Sequence, residues 1–181
     1  MVQFEIITRA FRRPTMLAVN QRSVATSTYT NWKQTVIVDE VGIGVPAANA
    51  MLASVDVTGD YIWILDDDDR LTSQNALEDV ASKINNSDEN VDAIVVQMDH
   101  GRLGVLPSHA FWLKVPPRGQ IGVSSIIASR QFWYRYRDRF LSARYDSDYD
   151  YVSAILSSGG NIIWHDRIAS EVQRISRGAP E

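Results

Sequence analysis

Five apolar residues, Tyr61-Ile62-Trp63-Ile64-Leu65, run without interruption into four consecutive aspartates, Asp66 to Asp69. No polar residue alternates within Ile62 to Leu65, which suits a strand buried on both faces in the middle of a sheet. The acids must then emerge at its C-terminal end, the edge of an open α/β sheet where ligands sit. With extended backbone, Asp66 and Asp68 face one way and Asp67 the other. Two carboxylates on one side repel unless a proton or a cation lies between them. Oxygen donors of this kind suit Mg²⁺ or Mn²⁺, and Mg²⁺ is commonly held by one or two carboxylates plus substrate phosphates. A metal-bridged nucleotide diphosphate is therefore the expected ligand. The competing reading is an exposed acidic turn that caps the next helix.

The flanking segments support an α/β sheet. Val2 to Thr8 reads as a strand, and Pro14 opens a helix through about Ser23 with Met16, Leu17, Val19 and Val24 as apolar positions. Thr35 to Val38 is a second strand ending in Asp39-Glu40, after which Pro46 opens a helix carrying Ala47, Ala50, Met51 and Leu52. Tyr61 to Leu65, a helix over Ala76 to Ile84 and a strand over Ala93 to Val96 complete the first half. Repeated β-α units predict a largely parallel sheet covered by helices on both sides. The second half is less regular. A possible strand over Ala110 to Val115 lies among Gly101, Gly104, Gly119, Pro107, Pro116 and Pro117. A strand over Ile121 to Ala128, helices over Arg130 to Phe140 and Tyr149 to Leu156, and a last strand over Asn161 to Trp164 follow. With no repeat or linker, the expectation is one domain over residues 1–181, divided into a nucleotide-binding half, 1–99, and an acceptor and catalytic half, 100–181.

Charge sharpens this division. Residues 60–99 hold 2 basic and 11 acidic side chains, whereas residues 100–181 hold 11 and 7. The net charge of −4 argues against a general nucleic-acid binder. The 181 residues contain no cysteine, which excludes disulfides and thiolate metal sites. No apolar run approaches the roughly 20 residues that span a bilayer, and Met1 to Glu5 lacks the basic and apolar regions of a signal peptide. No integral membrane segment and a cytoplasmic location are expected.

Other acid- and phosphate-binding motifs fit less well. A haloacid-dehalogenase-type phosphatase wants Thr or Val four residues after its first aspartate, and Arg70 stands there. No Gly-Lys-Ser or Gly-Lys-Thr is present, and Gly42-Ile43-Gly44 lacks the third glycine of a dinucleotide fingerprint.

The order of motifs resembles the family 2-like glycosyltransferases of the GT-A fold. The resemblance rests on Thr8 and Arg13-Pro14, the helix ending at Ser23-Val24, and Trp32 followed by Val36-Ile37-Val38-Asp39-Glu40. It continues through Ala48-Asn49-Ala50, Gly59-Asp60-Tyr61-Ile62 and Leu65 to Asp69, the last similar to the family's Asp-x-Asp signature, and reaches Asp148-Tyr149-Asp150 before a helix and Gly159. It implies an α/β fold with a mostly parallel central sheet flanked by helices. It implies a metal-dependent, inverting transfer of a sugar from a nucleotide-diphosphate donor, commonly a UDP-sugar, to the hydroxyl of a carbohydrate or other acceptor, with Mn²⁺ or Mg²⁺ as cofactor.

Carried onto this chain, the resemblance implies that Asp39 contacts the nucleotide base, Asp66 lies near the ribose or metal, Asp68 ligates the metal and Thr8 lines the nucleotide pocket. Asp148 is the implied catalytic base, with Asp146 and Asp150 as alternatives because Ser147 stands where the family usually has Glu. The family's late histidine, a metal or diphosphate ligand, aligns with Ser176, leaving His165 as the candidate metal ligand. Two other functions stay open: a nucleotidyltransferase with a similar sheet, and a non-catalytic nucleotide-sugar-binding module. The run from Arg130 to Phe140, which interleaves aromatics with arginines, reads as an amphipathic helix before it reads as an acceptor platform.

Overall fold

The computed structural model describes residues 1–141 and 147–174. The chain runs through β1 (Phe4–Ala10), α1 (Pro14–Ala25), β2 (Trp32–Val38), α2 (Val45–Ala53), β3 (Tyr61–Ile64), β4 (Asp69–Leu71), α3 (Ala76–Asn85), β5 (Ala93–Asp99) and β6 (Val105–Leu106). Then follow β7 (Ile126–Ser129), α4 (Arg130–Tyr136), α5 (Ser147–Leu156) and β8 (Ile162–Val172). The sheet has the order β2-β1-β3-β7-β5-β8-β4, with β6 on β5. β1 pairs in parallel with β2 and β3, and β5 in parallel with β8. β7 runs antiparallel between β3 and β5. β4 and β6 also run antiparallel to β8 and β5, so β1, β2, β3, β5 and β8 point one way against β4, β6 and β7, and by strand direction the sheet is mostly parallel, as expected.

Two apolar layers cover it. Trp63 and Leu65 pack with Phe4, Ile6, Val24 and the α3 residues Leu77 and Val80 on one face. Ile62 and Ile64 pack with Ile7, Leu52, Trp133 and Tyr151 on the other. β3 is therefore buried on both sides because its uninterrupted apolar residues alternate between two cores.

The second half departs from expectation in three places. Residues 110–115 form no strand: a single 3-10 turn, His109–Phe111, is followed by Leu113 with φ 60. The segment 121–128 splits into a 3-10 turn, Val123–Ser125, and β7, since Ser124 and Ser125 turn inward. The last strand extends to Val172, because β5 and the unforeseen β4 flank it on either side. In the aromatic segment Phe132, Trp133 and Phe140 are buried, the arrangement of an amphipathic helix and its 3-10 extension. Among the described residues no helix is long and apolar enough to cross a membrane.

Candidate functional site

The strand-end aspartates do not continue as a free turn. Asp69 to Leu71 doubles back as β4 against β8, so the four acids occupy a tight bend between β3 and β4. The bend is a turn rather than the extended backbone expected, closed by the Asp69 amide donating to the Asp66 carbonyl at 2.9 Å, and it still sends Asp66 and Asp68 to one side. Asp66 and Asp68 line a cavity of about 480 Å³, while Asp67 and Asp69 are buried. The bend's carbonyls are held from two directions. Asn20 of α1, itself fully buried, donates from Nδ2 to the carbonyls of Leu65, Asp66 and Asp69 at 3.2, 2.9 and 3.0 Å. Gln173 donates from Nε2 to the carbonyls of Asp67 and Asp69, and its backbone N–H to that of Asp68. An exposed capping turn would not need such anchoring.

Arg9, at the end of β1, organises the cavity. The register Ile7↔Ile64 brings the ends of β1 and β3 side by side, and the Asp67 amide donates to the Arg9 carbonyl. Arg9 grips Asp66 through Nε and a terminal nitrogen at 2.7 and 2.6 Å, and meets both Asp148 oxygens at 3.1 Å. Its remaining N–H meets Asn49 Oδ1 at 2.8 Å. The five N–H donors of a guanidinium are thus all engaged. Burial alone would depress the Arg9 pKa, but Asp66 and Asp148 outweigh it and hold the guanidinium well above its ordinary range. Arg13, the residue before α1, pairs with Asp67 at 2.9 Å and Asp68 at 2.5 Å.

Asp39, after β2, also lines the cavity. Its Oδ1 accepts the backbone amides of Val41, Gly42 and Ile43, the last shared with Oδ2. That turn needs a positive φ at Gly42, where an added Cβ would also press on the Phe11 ring at 3.2 Å. Asp69 is nearly fully buried, and desolvation reinforced by Asp66 and Asp68 pushes its carboxyl well above the usual range. Asp67 is pushed up in the same sense, chiefly by burial, although the Phe11 amide and Arg13 oppose the shift.

Asp39, Asp66, Asp68 and Asp148 therefore meet around one cavity, at the C-terminal ends of β1, β2 and β3. Two other candidates lie elsewhere. Thr8 is fully buried and accepts from Gln34 Nε2 at 2.9 Å, with Asn20 close by. Strand alternation turns Thr8 toward α1 and presents Arg9 to the cavity in its place. His165 lines a separate pocket with Thr72, Asp79 and Arg167, not the cavity of Asp68. Its position on β8 sets it against α3, where burial and Lys83 lower its pKa. Of the alternatives to Asp148, Asp150 pairs with Arg118 at 3.3 Å and does not line the cavity, while Asp146 and the aligned Ser176 fall outside the described residues.

Sequence reasoning passed over Arg9 and Asn49 as site residues. The signal for Arg9 was available: a cation one place beyond the expected strand Val2 to Thr8, in a chain whose third strand ends in acids.

No family model and no curated protein matches the sequence. Solved structures do match. S. aureus TarS 1-349 in complex with UDP-GlcNAc superposes with a TM-score of 0.66 at 12% identity over 96% of this chain and 59% of that one. The mannosyltransferase PcManGT from Pyrobaculum calidifontis, in complex with GDP-Man and Mn²⁺, gives 0.68 at 12% identity over 98% of this chain and 58% of that one. A glycosyltransferase involved in glycosylation of the major capsid of PBCV-1 gives 0.57 at 12% identity and covers 97% and 96% of the two chains. This chain thus spans somewhat less than two thirds of the first two proteins and nearly the whole length of the third. Its fold is the GT-A fold of the glycosyltransferases.

Proposed function

We propose that the protein is a glycosyltransferase that moves a sugar from a nucleotide-diphosphate donor, with inversion, onto an acceptor hydroxyl. The observation that carries this reading is the Arg9 bridge. One half-buried guanidinium fixes Asp66 of the acidic bend and Asp148 of α5 at the mouth of a single cavity, on a fold otherwise seen with UDP-GlcNAc or GDP-Man bound. An acidic bend that only capped a helix would have no reason to be tied to a carboxylate far along the chain.

In this reading residues 1–99 bind the nucleotide and residues 100–181 supply the acceptor side. Asp39 receives the base: Oδ1 is taken by three amides, but Oδ2 accepts only the shared Ile43 amide and keeps a lone pair for a base N–H. Asp66 and Asp68 face the diphosphate. The two carboxylates are partly exposed, 23% and 34%, and supply hard oxygen donors suited to Mn²⁺ or Mg²⁺. Among the described residues no three acidic or histidine side chains are grouped to hold an ion alone, so phosphate oxygens of the donor would complete its coordination. The ion would neutralise charge growing on the diphosphate. Asp148 takes the acceptor proton as the hydroxyl attacks the anomeric carbon, and Arg9 keeps that carboxylate at its station. A single displacement needs no protein nucleophile.

Thermal-shift measurements with UDP, GDP, dTDP and CDP and their sugar conjugates, each with Mn²⁺, Mg²⁺ or EDTA, test the reading. A ligand bound by the native state alone raises the melting temperature by mass action. A shift for one nucleotide diphosphate that EDTA removes is expected. No shift at millimolar concentration for any of them overturns the donor site.

A further inference from the structure

The two arginines of the cavity differ in how firmly they are held. Arg9 has all five N–H donors engaged and a side chain 18% exposed. Arg13 is 34% exposed and holds Asp68 by one nitrogen and Asp67 by the other. Asp67 is buried and fixed through Oδ2 by the Phe11 amide, and its Oδ1 lies 2.9 Å from the other side of the Arg13 guanidinium as an ion pair without hydrogen-bond geometry. Asp68 is the exposed partner on the cavity side.

Arg13 therefore occupies an oxygen of the carboxylate that the donor-site reading assigns to a divalent ion. The guanidinium holds Oδ2 alone, and its positive charge beside the carboxylate opposes a divalent ion at the same group. Displacing the guanidinium in the free protein leaves it without its cavity partner, while the ion gains only one or two carboxylates. A diphosphate resolves both deficits, since its oxygens suit the fork of an arginine as well as an octahedral cation.

We propose, resting on the donor-site reading, that Arg13 is an exchange cation. It neutralises Asp68 in the free protein and passes to the diphosphate when ion and nucleotide enter together, while Asp67 keeps its other side anchored. Ion and nucleotide consequently bind with positive coupling, each weakly alone. Linkage makes this coupling reciprocal.

The test compares the parent chain with Arg13→Gln and Arg13→Lys, using Mn²⁺ alone followed by electron paramagnetic resonance, and UDP and GDP with and without Mn²⁺ followed by calorimetry. Removing a partly exposed ion pair should tighten Mn²⁺ binding in the absence of nucleotide by about fivefold in Arg13→Gln. The same variant should bind the nucleotide with Mn²⁺ about tenfold more weakly, as loss of a charge-assisted contact predicts. Arg13→Lys should restore part of both effects. Arg12→Gln removes an equal charge outside the cavity and should change neither. Unchanged or weakened Mn²⁺ binding in a folded Arg13→Gln protein overturns the exchange. Absence of nucleotide binding to the parent with Mn²⁺ overturns the donor-site reading, and the exchange with it.

Discussion

Asn49 and Ser147, 98 residues apart, are joined by a hydrogen bond of 2.6 Å from Asn49 Nδ2 to Ser147 Oγ. Both are buried, and the other end of the same amide accepts from Arg9. Ser147 precedes Asp148, so the bond fixes the start of α5 against α2 and sets the carboxylate at the cavity mouth. A glutamate could not occupy this fully buried position without an ion partner. Ser147→Ala strands a buried amide donor and should cost about 1–3 kcal/mol. The variant should lower turnover more than donor affinity, as measured by parallel calorimetry and transfer assays. Equal losses in both would make Ser147 a matter of stability alone.

Arg9→Lys keeps the charge but loses the fork that reaches two carboxylates and an amide at once. Removing one member of a buried pair costs about 3–5 kcal/mol, and partial exposure of Asp66 and Asp148 reduces that to about 2 kcal/mol. A melting temperature lower by about 5 °C is expected for a chain of this size. Donor binding should weaken in parallel, and a lysine variant with parental melting and affinity would remove Arg9 from the centre of the site.

Asp148→Asn keeps one oxygen to accept from Arg9, loses the second acceptor, and cannot take a proton as a carboxylate does. Donor affinity should stay within about twofold of the parent while transfer falls by about 10² to 10⁴. Full transfer activity would move the base to another residue.

Asp39→Ala removes the acceptor that closes the turn after β2 onto three amides. Loss of that arrangement should cost about 1 kcal/mol of stability and weaken nucleotide binding about tenfold. Asp39→Asn keeps an oxygen for the amides and should fall between parent and alanine variant. Matched titrations of the three proteins decide it.

Asp69 gives a pH-dependent signature. Unfolded, its carboxyl titrates near the ordinary 3.8; folded, burial keeps it protonated to a higher pH. The folded state therefore holds the extra proton between these two values. Its stability contribution is present below pH 3.8, declines as pH rises through the interval and is lost above the folded value. Asp69→Asn cannot ionise and should lack this decline. Urea midpoints should favour the variant more at pH 7 than at pH 4. A difference that does not change with pH would show that Asp69 is not held protonated.

The early elements are legible because hydrophobic period and proline position coincide there. Pro14 begins α1 and Pro46 lies at the start of α2, while the unbroken run Ile62 to Leu65 is divided between two apolar layers. The cavity acids are legible in part: Asp66 and Asp68 share a side as alternation predicts, but a turn closed from Asp69 to Asp66, not extended backbone, puts them there. What single-strand reasoning missed depends on neighbours. Thr8 and Arg9 differ by one place, and only the packing of α1 on β1 decides which faces the cavity. β4 has three residues and exists because β8 runs past it. His165 is an ordinary strand residue whose surroundings are set by α3, a partner distant in sequence.

The amides of Asn20 and Gln173 that grip the acidic bend have a bearing on the order of assembly. Asn20 lies 49 residues before Asp69, and Gln173 lies 104 residues after it. The bend is thus secured from both sides by segments that lie far from it along the polymer. Closing such loops is slow relative to forming local helices. β1, β2 and β3 can pair while the remainder is still being synthesised, but the strand-end carbonyls find their last donors only when residue 173 arrives. The acidic bend is accordingly among the last parts of the cavity to be secured as this chain folds.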